Sequence, residues 1–313
     1  MNEPQIRARA KTVEVGRDRD GQRLDNFLMA RLPGVPRSAV YKLIRTGQVR
    51  VNGGRAKPFQ KLSAGDQVRV PPAHVDPKGS ARVPDRVVQL LENSVIFEDD
   101  RLLVCDKPSG IAAHGGSGVA WGVIDAYRQS RPGKPLDLVH RLDRETSGVM
   151  VLAKDVETLR HLQEQFAGRE AEKRYFALLE GRVNDDRTLV DEPLARREVS
   201  GERLVVVDEE GKPAQTEFTV LERWRDATLV EARPLTGRTH QIRVHAAWLG
   251  CACAGDSRYG DRERQPSWKE QGLERLFLHA HALAFNWIDD SPRMYSSPLP
   301  DDLRAVTEQL GRG

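Results

Sequence analysis

No run in this 313-residue chain approaches the ~18 consecutive apolar residues needed to cross a bilayer, which argues against a membrane-spanning helix. Its first residues, MNEPQIRARAKTVEV, also lack the apolar segment of a secretory signal, so a cytoplasmic location without a membrane partner is expected. Cysteine is scarce. Cys105, Cys251 and Cys253 are too few for a disulfide framework, and Cys251-x-Cys253 lacks the second pair of a zinc site, so they are expected to be reduced and structurally incidental. There is no HExxH and no carboxylate-bearing histidine cluster, so no catalytic metal is expected. The glycine-rich HGGSG, residues 114–118, lacks the Gly-Lys-Ser/Thr of a phosphate loop, which argues against a nucleotide cofactor. Repeats at periods of about 20–50 residues are missing too.

What is present suits a folded enzyme-sized chain, with 39% hydrophobic and 30% charged residues. The net charge of +3 conceals an asymmetry: residues 1–75 carry 15 Lys and Arg against 6 Asp and Glu, whereas the remainder carries 34 against 40. The first quarter is therefore the part suited to a polyanion. PPAHVDPKGSARVPD, residues 71–85, is rich in Pro without apolar periodicity and reads as a linker. The predicted organisation is a basic arm over 1–20, a small unit over 21–72, a linker over 73–87 and a large domain over 88–313.

In the small unit, GQRLDNFLMARL puts Leu24, Phe27, Leu28 and Leu32 on one helical face, and a second helix is predicted from Ser38, as N-cap, to about Arg45. VRVNGGRAKP and KLSAGDQVRVPP then alternate apolar and basic residues around Gly turns, as half-buried strands do. The run GVPRSAVYKLIRTGQVRVNG resembles an S4 RNA-binding domain. Arg37, Lys42, Arg45, Arg50, Arg55 and Lys57 are the candidate phosphate contacts of such a unit.

The large domain alternates short strand patterns with amphipathic helices. DVETLRHLQEQFAG reads as a helix capped by Asp155, GKPAQTEFTVLERWRDATLVEARPL as a hairpin turning near Arg225–Asp226, and QIRVHAAWLG as a helix closed by Gly250. Strands follow one another as hairpins, so the expected class is α+β, a mostly antiparallel mixed sheet flanked by helices. LVHRLDRETSGVMVLAK interrupts two apolar runs with ionisable residues around Asp143. A carboxylate at the mouth of a core, with cations nearby, can serve as nucleophile or base.

HRLDRETSG, KRYFALLEG and PLTGRTHQIRVH, with DKPSG, HGGSG and RLFLHA, together resemble the RluA-type pseudouridine synthases over about residues 88–290. The resemblance implies the pseudouridine synthase fold and cofactor-free isomerisation of uridine in RNA. With the S4-like unit in front, it is strongest to bacterial members acting on 23S ribosomal RNA or a large-subunit precursor, while other relatives act on transfer RNA. Carried over by position, the family's essential aspartate falls on Asp143, its tyrosine on Tyr175 and its basic partner on Arg243, expected to pair bidentately with Asp143. Arg141 matches the arginine that replaces the flipped base, and Leu278 the apolar residue under the uracil. Whether Asp143 attacks the sugar, attacks the uracil or removes a sugar proton is not chosen by these residues.

Overall fold

The computed structural model of the chain describes residues 10–32, 35, 37–72, 82–116, 119–199 and 201–311, apart from the side chains of Arg37 and Ser38. The chain divides into two compact units, 1–82 with 116–121 and 83–115 with 122–313. The smaller contains β1 (Lys11–Glu14), α1 (Leu24–Arg31), α2 (Arg37–Arg45), β2 (Arg50–Val51), β3 (Gly54–Arg55) and β4 (Gln67–Val70). Its sheet has the order β1-β4-β2-β3. Leu24, Phe27 and Leu28 of α1 bury against Val40 and Ile44 of α2 and Val51 and Val68 of the sheet, as the helical spacing predicts.

Three expectations need correction here. Ser38 lies inside α2 instead of capping it. Residues 11–14, assigned to the arm, form β1, whose four residues pair with β4 and lead into the buried Val15. A strand that short, flanked by charge, has too little periodicity to stand out. Residues 73–81 of the expected linker lie outside the described residues, and its last residues already begin a helix at Asp85.

The larger unit runs α3 (Asp85–Glu92), β5 (Val95–Glu98), β6 (Leu102–Lys107), α4 (Val123–Ser130), β7 (Asp137–Leu138), β8 (Ser147–Ala153), α5 (Val156–Gly168), β9 (Glu172–Glu180) and β10 (Arg187–Asp191). It continues with β11 (Leu194–Val199), β12 (Glu202–Val207), β13 (Gln215–Arg223), β14 (Ala227–Pro234), α6 (Gln241–Trp248), α7 (Gln265–Glu270), β15 (Leu278–Asn286), β16 (Pro292–Ser296) and α8 (Asp301–Leu310). The main sheet has the order β10-β13-β14-β9-β15-β8-β6-β5, with β16 on β15 and β7 on β8. The α+β reading holds. Asp155 caps α5 by accepting from the Thr158 amide at 2.8 Å, and β13 and β14 turn at Arg225–Asp226.

Both faces of the sheet are covered. Alternation along β9 sends Ala177 and Leu179 into a cluster with Ile242 and Ala246 of α6. Leu178 goes to the other face, among Trp268, Leu303 and Val306 of α7 and α8. Among the described residues, β8 and β15 are the one parallel pair, with Ser147 opposite His279 and Gly148 opposite Ala280. That pairing sets the loop before β8 beside the start of β15.

Gly148 is what lets the two strands meet. It has φ +117°, and a Cβ there would lie 2.3 Å from the Ala280 carbonyl oxygen and 2.6 Å from its nitrogen. Gly148→Ala is expected to destabilise the chain by at least about 2 kcal/mol, combining backbone strain with overpacking. An unchanged urea midpoint would show that β8 and β15 can part without cost.

Candidate active site and RNA-binding face

The loop between β7 and β8 carries HRLDRETSG, and its ionisable residues have separate tasks. His140 is buried structure: its Nε2 accepts from the Val151 amide at 3.1 Å and its ring stacks on Phe166 at 4.7 Å. Burial, aided by Lys173, pulls its pKa down to about 3. Arg144 and Glu145 make an exposed pair at 3.5 Å. Arg141 is exposed and has no ion-pair partner among the described residues. Asp143 is left facing the site, its side chain 22% exposed, and its carboxylate takes no hydrogen bond from any described residue.

Two anchors hold this loop. On one side the DKPSG segment clasps it: the buried Lys107 Nζ donates to the carbonyls of Pro108 and Ile111 at 2.8 Å and of Arg144 at 3.2 Å. Gly110 N and Ser109 Oγ add bonds to the Arg144 and Glu145 carbonyls at 2.9 and 2.7 Å. Burial draws the Lys107 pKa down to about 7, against the pull of surrounding negative groups that include Glu145 and Asp143. On the other side Ser147 Oγ meets His279 Nδ1 at 2.9 Å and accepts from Arg275 at 3.1 Å; Arg275 is itself forked onto Asp302 at 2.6 and 3.1 Å.

Facing Asp143 are residues from three other elements. Tyr175 on β9 and Leu278 on β15 pack into the same apolar cluster, with Leu278 in register with Ala177. The Tyr175 hydroxyl makes no hydrogen bond to any described residue. Burial first, and then the charge of Asp143, push its pKa up, so it stays a neutral phenol. The third element is α6, reached through the GRTHQ loop. Gln241 fixes that loop: its amide donates to Gln215 O and Thr216 Oγ1 and its carbonyl accepts from Thr236 Oγ1 and Arg238 N, all within 2.7–3.0 Å. Arg238 turns to the Pro213 carbonyl at 3.1 Å.

Arg243 departs from expectation. It does not ion-pair with Asp143. Its fork closes on Asp256, Nε and Nη2 each 2.6 Å from a carboxylate oxygen, with Arg243 only 4% exposed and Asp256 fully buried. Asp256 sits in the GDSRYG loop and also accepts from the amides of Arg258 and Tyr259 at 2.9 and 3.1 Å. Burial opposes the charge on Arg243, but the bonds and charge of Asp256, with Asp143 adding through space, hold its pKa above the ordinary value. A buried carboxylate already aligned with both arms of the fork outcompetes a partly solvated one.

Among the described residues, one Lys, Arg or His reaches within 4.0 Å of the Asp143 carboxylate, and it is a residue the sequence reading gave no role. His240 Nε2 lies 3.8 Å from Asp143 Oδ2. Tyr259, whose hydroxyl is 2.7 Å from His240 Nδ1, was also passed over, as were Asp256 and Lys107. The signal for two of these was present in the Gly-Asp and Tyr-Gly pairs of GDSRYG, which mark a tight loop with a carboxylate and an aromatic at fixed spacing.

In the smaller unit Lys42, Arg45, Arg50, Arg55 and Lys57 are exposed and unpaired with any described acid; the side chain of Arg37 lies outside the described residues. Register places Arg55 opposite Arg50 and Arg50 opposite Arg69, so three exposed arginines cross adjacent strands in a row. Arg69 was not among the candidates. Like charges directly opposite on a sheet destabilise it, so the row is a candidate surface for a polyanion.

Two predictions follow from this geometry. The unfolded chain protonates His140 near 6.5 while the folded one resists down to about 3, so this stabilising contribution is complete above 6.5 and is lost as pH falls through that window. The drop in urea midpoint between about pH 7 and about pH 4 should shrink in His140→Gln, which keeps an acceptor and cannot titrate; an equal drop removes His140 from the account. Replacing Arg50, Arg55 and Arg69 together by Gln should flatten the log-log salt dependence of RNA affinity by about 2, with the thermal midpoint unchanged or higher. A lowered midpoint with an unchanged salt slope would show that the arginines serve the fold.

Comparison with known proteins identifies both domains. Residues 101–248 match the RNA pseudouridylate synthase family and residues 22–68 the S4 domain. The ribosomal large subunit pseudouridine synthase C of Haemophilus influenzae is 45% identical over 99% of this chain and 98% of its own length. That of Pasteurella multocida is 48% identical over 99% and 96%. The solved structure of human RNA pseudouridylate synthase domain containing 4 superposes with a TM-score of 0.60 at 29% identity, covering 72% of this chain and 96% of that one. The chain belongs to the RNA pseudouridylate synthase family and is an isomerase with an S4 domain ahead of its catalytic fold.

Proposed function

We propose that the protein isomerises specific uridines of 23S ribosomal RNA, or of a large-subunit precursor, to pseudouridine, and that it works in the cytoplasm where that RNA is made. The large-subunit relatives, similar over nearly the whole chain, support this substrate. The observation that carries the chemistry is Asp143 itself: a carboxylate that takes no hydrogen bond from any described residue, its charge felt by Tyr175 and Arg243, with Leu278 in the same apolar cluster as Tyr175.

The reaction breaks the N1–C1′ bond, turns the uracil and joins its C5 to C1′; C5 gives up a proton and N1 gains one, so nothing is added or lost. Asp143 acts as the nucleophile or base that starts it, and each route needs the carboxylate unprotonated. Leu278 and the Tyr175 ring give the uracil an apolar seat, while the Tyr175 hydroxyl, neutral and uncommitted, is free to assist proton movement. Arg243, held by Asp256, supplies fixed positive charge from behind. Extruding the nucleotide costs a few kcal/mol, and the unpaired Arg141, two residues before Asp143, fills the vacated stack.

The experiment is incubation of Asp143→Asn and the unaltered protein with 23S RNA and with transfer RNA, followed by mapping of modified positions. The unaltered protein should form pseudouridine in 23S RNA without free uracil, and the amide variant should be slower by at least about 10³-fold while binding the RNA normally. Normal turnover by the variant, release of uracil, or modification confined to transfer RNA would overturn the assignment.

A further inference from the structure

His240 occupies a backbone region that side chains other than glycine rarely adopt. It has φ 54° and ψ 19° at the N-terminal end of α6, a conformation costing on the order of 1 kcal/mol or more unless its surroundings enforce it. They do enforce it. Gln241 pins the following residue, Thr239 before it accepts from Arg196 at 3.1 Å, and the ring is wedged between Asp143 and Tyr259 with only 16% of the side chain exposed. Strain kept in place by this many contacts, 3.8 Å from the reacting carboxylate, is the feature that the reaction scheme above leaves unexplained.

Hydrogen-bond accounting favours one tautomer. The Tyr259 hydroxyl accepts from the Val205 amide of the β11–β12 hairpin at 3.2 Å, and its own hydrogen finds no acceptor among the described residues other than His240 Nδ1, at 2.7 Å. A neutral imidazole whose Nδ1 accepts carries its hydrogen on Nε2, the atom turned to Asp143. The groups around the ring favour neutrality. Burial lowers its affinity for a second proton, Asp143 and Asp256 raise it, and Arg243 and Arg258 lower it, with a net downward shift. Asp143 in turn faces the buried Lys107, Tyr175 and Arg243 from the other elements packed around it.

We propose that His240 is a positioning residue for pseudouridine formation: its Nε2–H closes onto Asp143 Oδ2 when the uridine enters, and Tyr259 selects the tautomer that makes this contact. Catalytic hydrogen bonds that are long in the free enzyme commonly shorten in the complex. The inference rests on Asp143 being the reacting carboxylate. The hairpin thereby reaches the chemistry: Val205 sets Tyr259, Tyr259 sets His240, and His240 aims the carboxylate at one face of the ribosyl bond.

Two substitutions separate this role from mere packing. Asn tolerates a left-handed backbone but is too short to reach Asp143, whereas Gln places an amide N–H close to the position of Nε2. In single-turnover assays on the full chain with 23S RNA, His240→Asn should lose about 10²-fold in rate with RNA affinity unchanged, and His240→Gln should recover most of it. Nitrogen-15 spectra of histidine-labelled unaltered protein should show His240 as the Nε2–H tautomer, altered in Tyr259→Phe. Equal rates in the Asn variant, the Gln variant and the unaltered protein would overturn the proposal, as would an Nδ1–H tautomer. Asp143→Asn run alongside identifies the level of failure: if it retains full turnover, the assignment of Asp143 falls, and the proposal falls with it.

Discussion

The buried fork between Arg243 and Asp256 is the interaction on which the site depends. Two charges taken out of water in this way cost several kcal/mol each, and the cost is offset only because the geometry is bidentate and the remaining carboxylate valences go to backbone amides. Neither residue is replaceable singly, since the survivor would be an unpaired buried ion. The pair ties the middle of α6 to the GDSRYG loop and so fixes the separation between Tyr259 and His240. Gly255 makes the loop tight enough: at φ +72°, a Cβ would stand 2.3 Å from the Arg275 carbonyl. The same arginine therefore orders the site and supplies its positive potential, without spending a hydrogen bond on Asp143.

The sheet contributes a different constraint. A parallel step between β8 and β15 inside an otherwise antiparallel sheet brings the end of the Asp143 loop alongside Leu278 and His279. Neither strand could arrange this alone, because the loop's other end is held by β6 through Lys107. Three carbonyl acceptors are the full complement of an ammonium group, so the lysine is satisfied even where burial disfavours its charge. The Asp143 loop is thus clamped by main-chain contacts at both ends, while the side chains of Asp143 and Arg141 make no hydrogen bond among the described residues.

Much of this was legible in the sequence, but unevenly. Asp143, Tyr175, Arg243 and Leu278 stand in recognisable blocks; the charge of Asp143 reaches Tyr175 and Arg243, and Tyr175 and Leu278 share one apolar cluster. The identity of Arg243's partner was not legible. A motif states which residue types are near one another; which carboxylate wins a guanidinium depends on burial and alignment that only the folded loop fixes. His140 and Lys107 were obscured for a related reason: their partners are main-chain amides or carbonyls, which every residue carries and no sequence pattern announces. His240 carried no signal at all, since a left-handed backbone at a non-glycine residue is a tertiary effect.

Charge is handled in opposite ways in the two units, and the contrast separates folding from function. Within the larger one, four ionisable groups around the site are answered: Arg243 by Asp256, Lys107 by carbonyls, His140 by an amide and His279 by Ser147. On the smaller one, Arg55, Arg50 and Arg69 confront each other across adjacent strands with no acid beside them. A sheet selected for stability alone would interleave opposite charges at such positions. An anion that spans several strands at once, as a phosphate backbone does, would relieve repulsion of this kind.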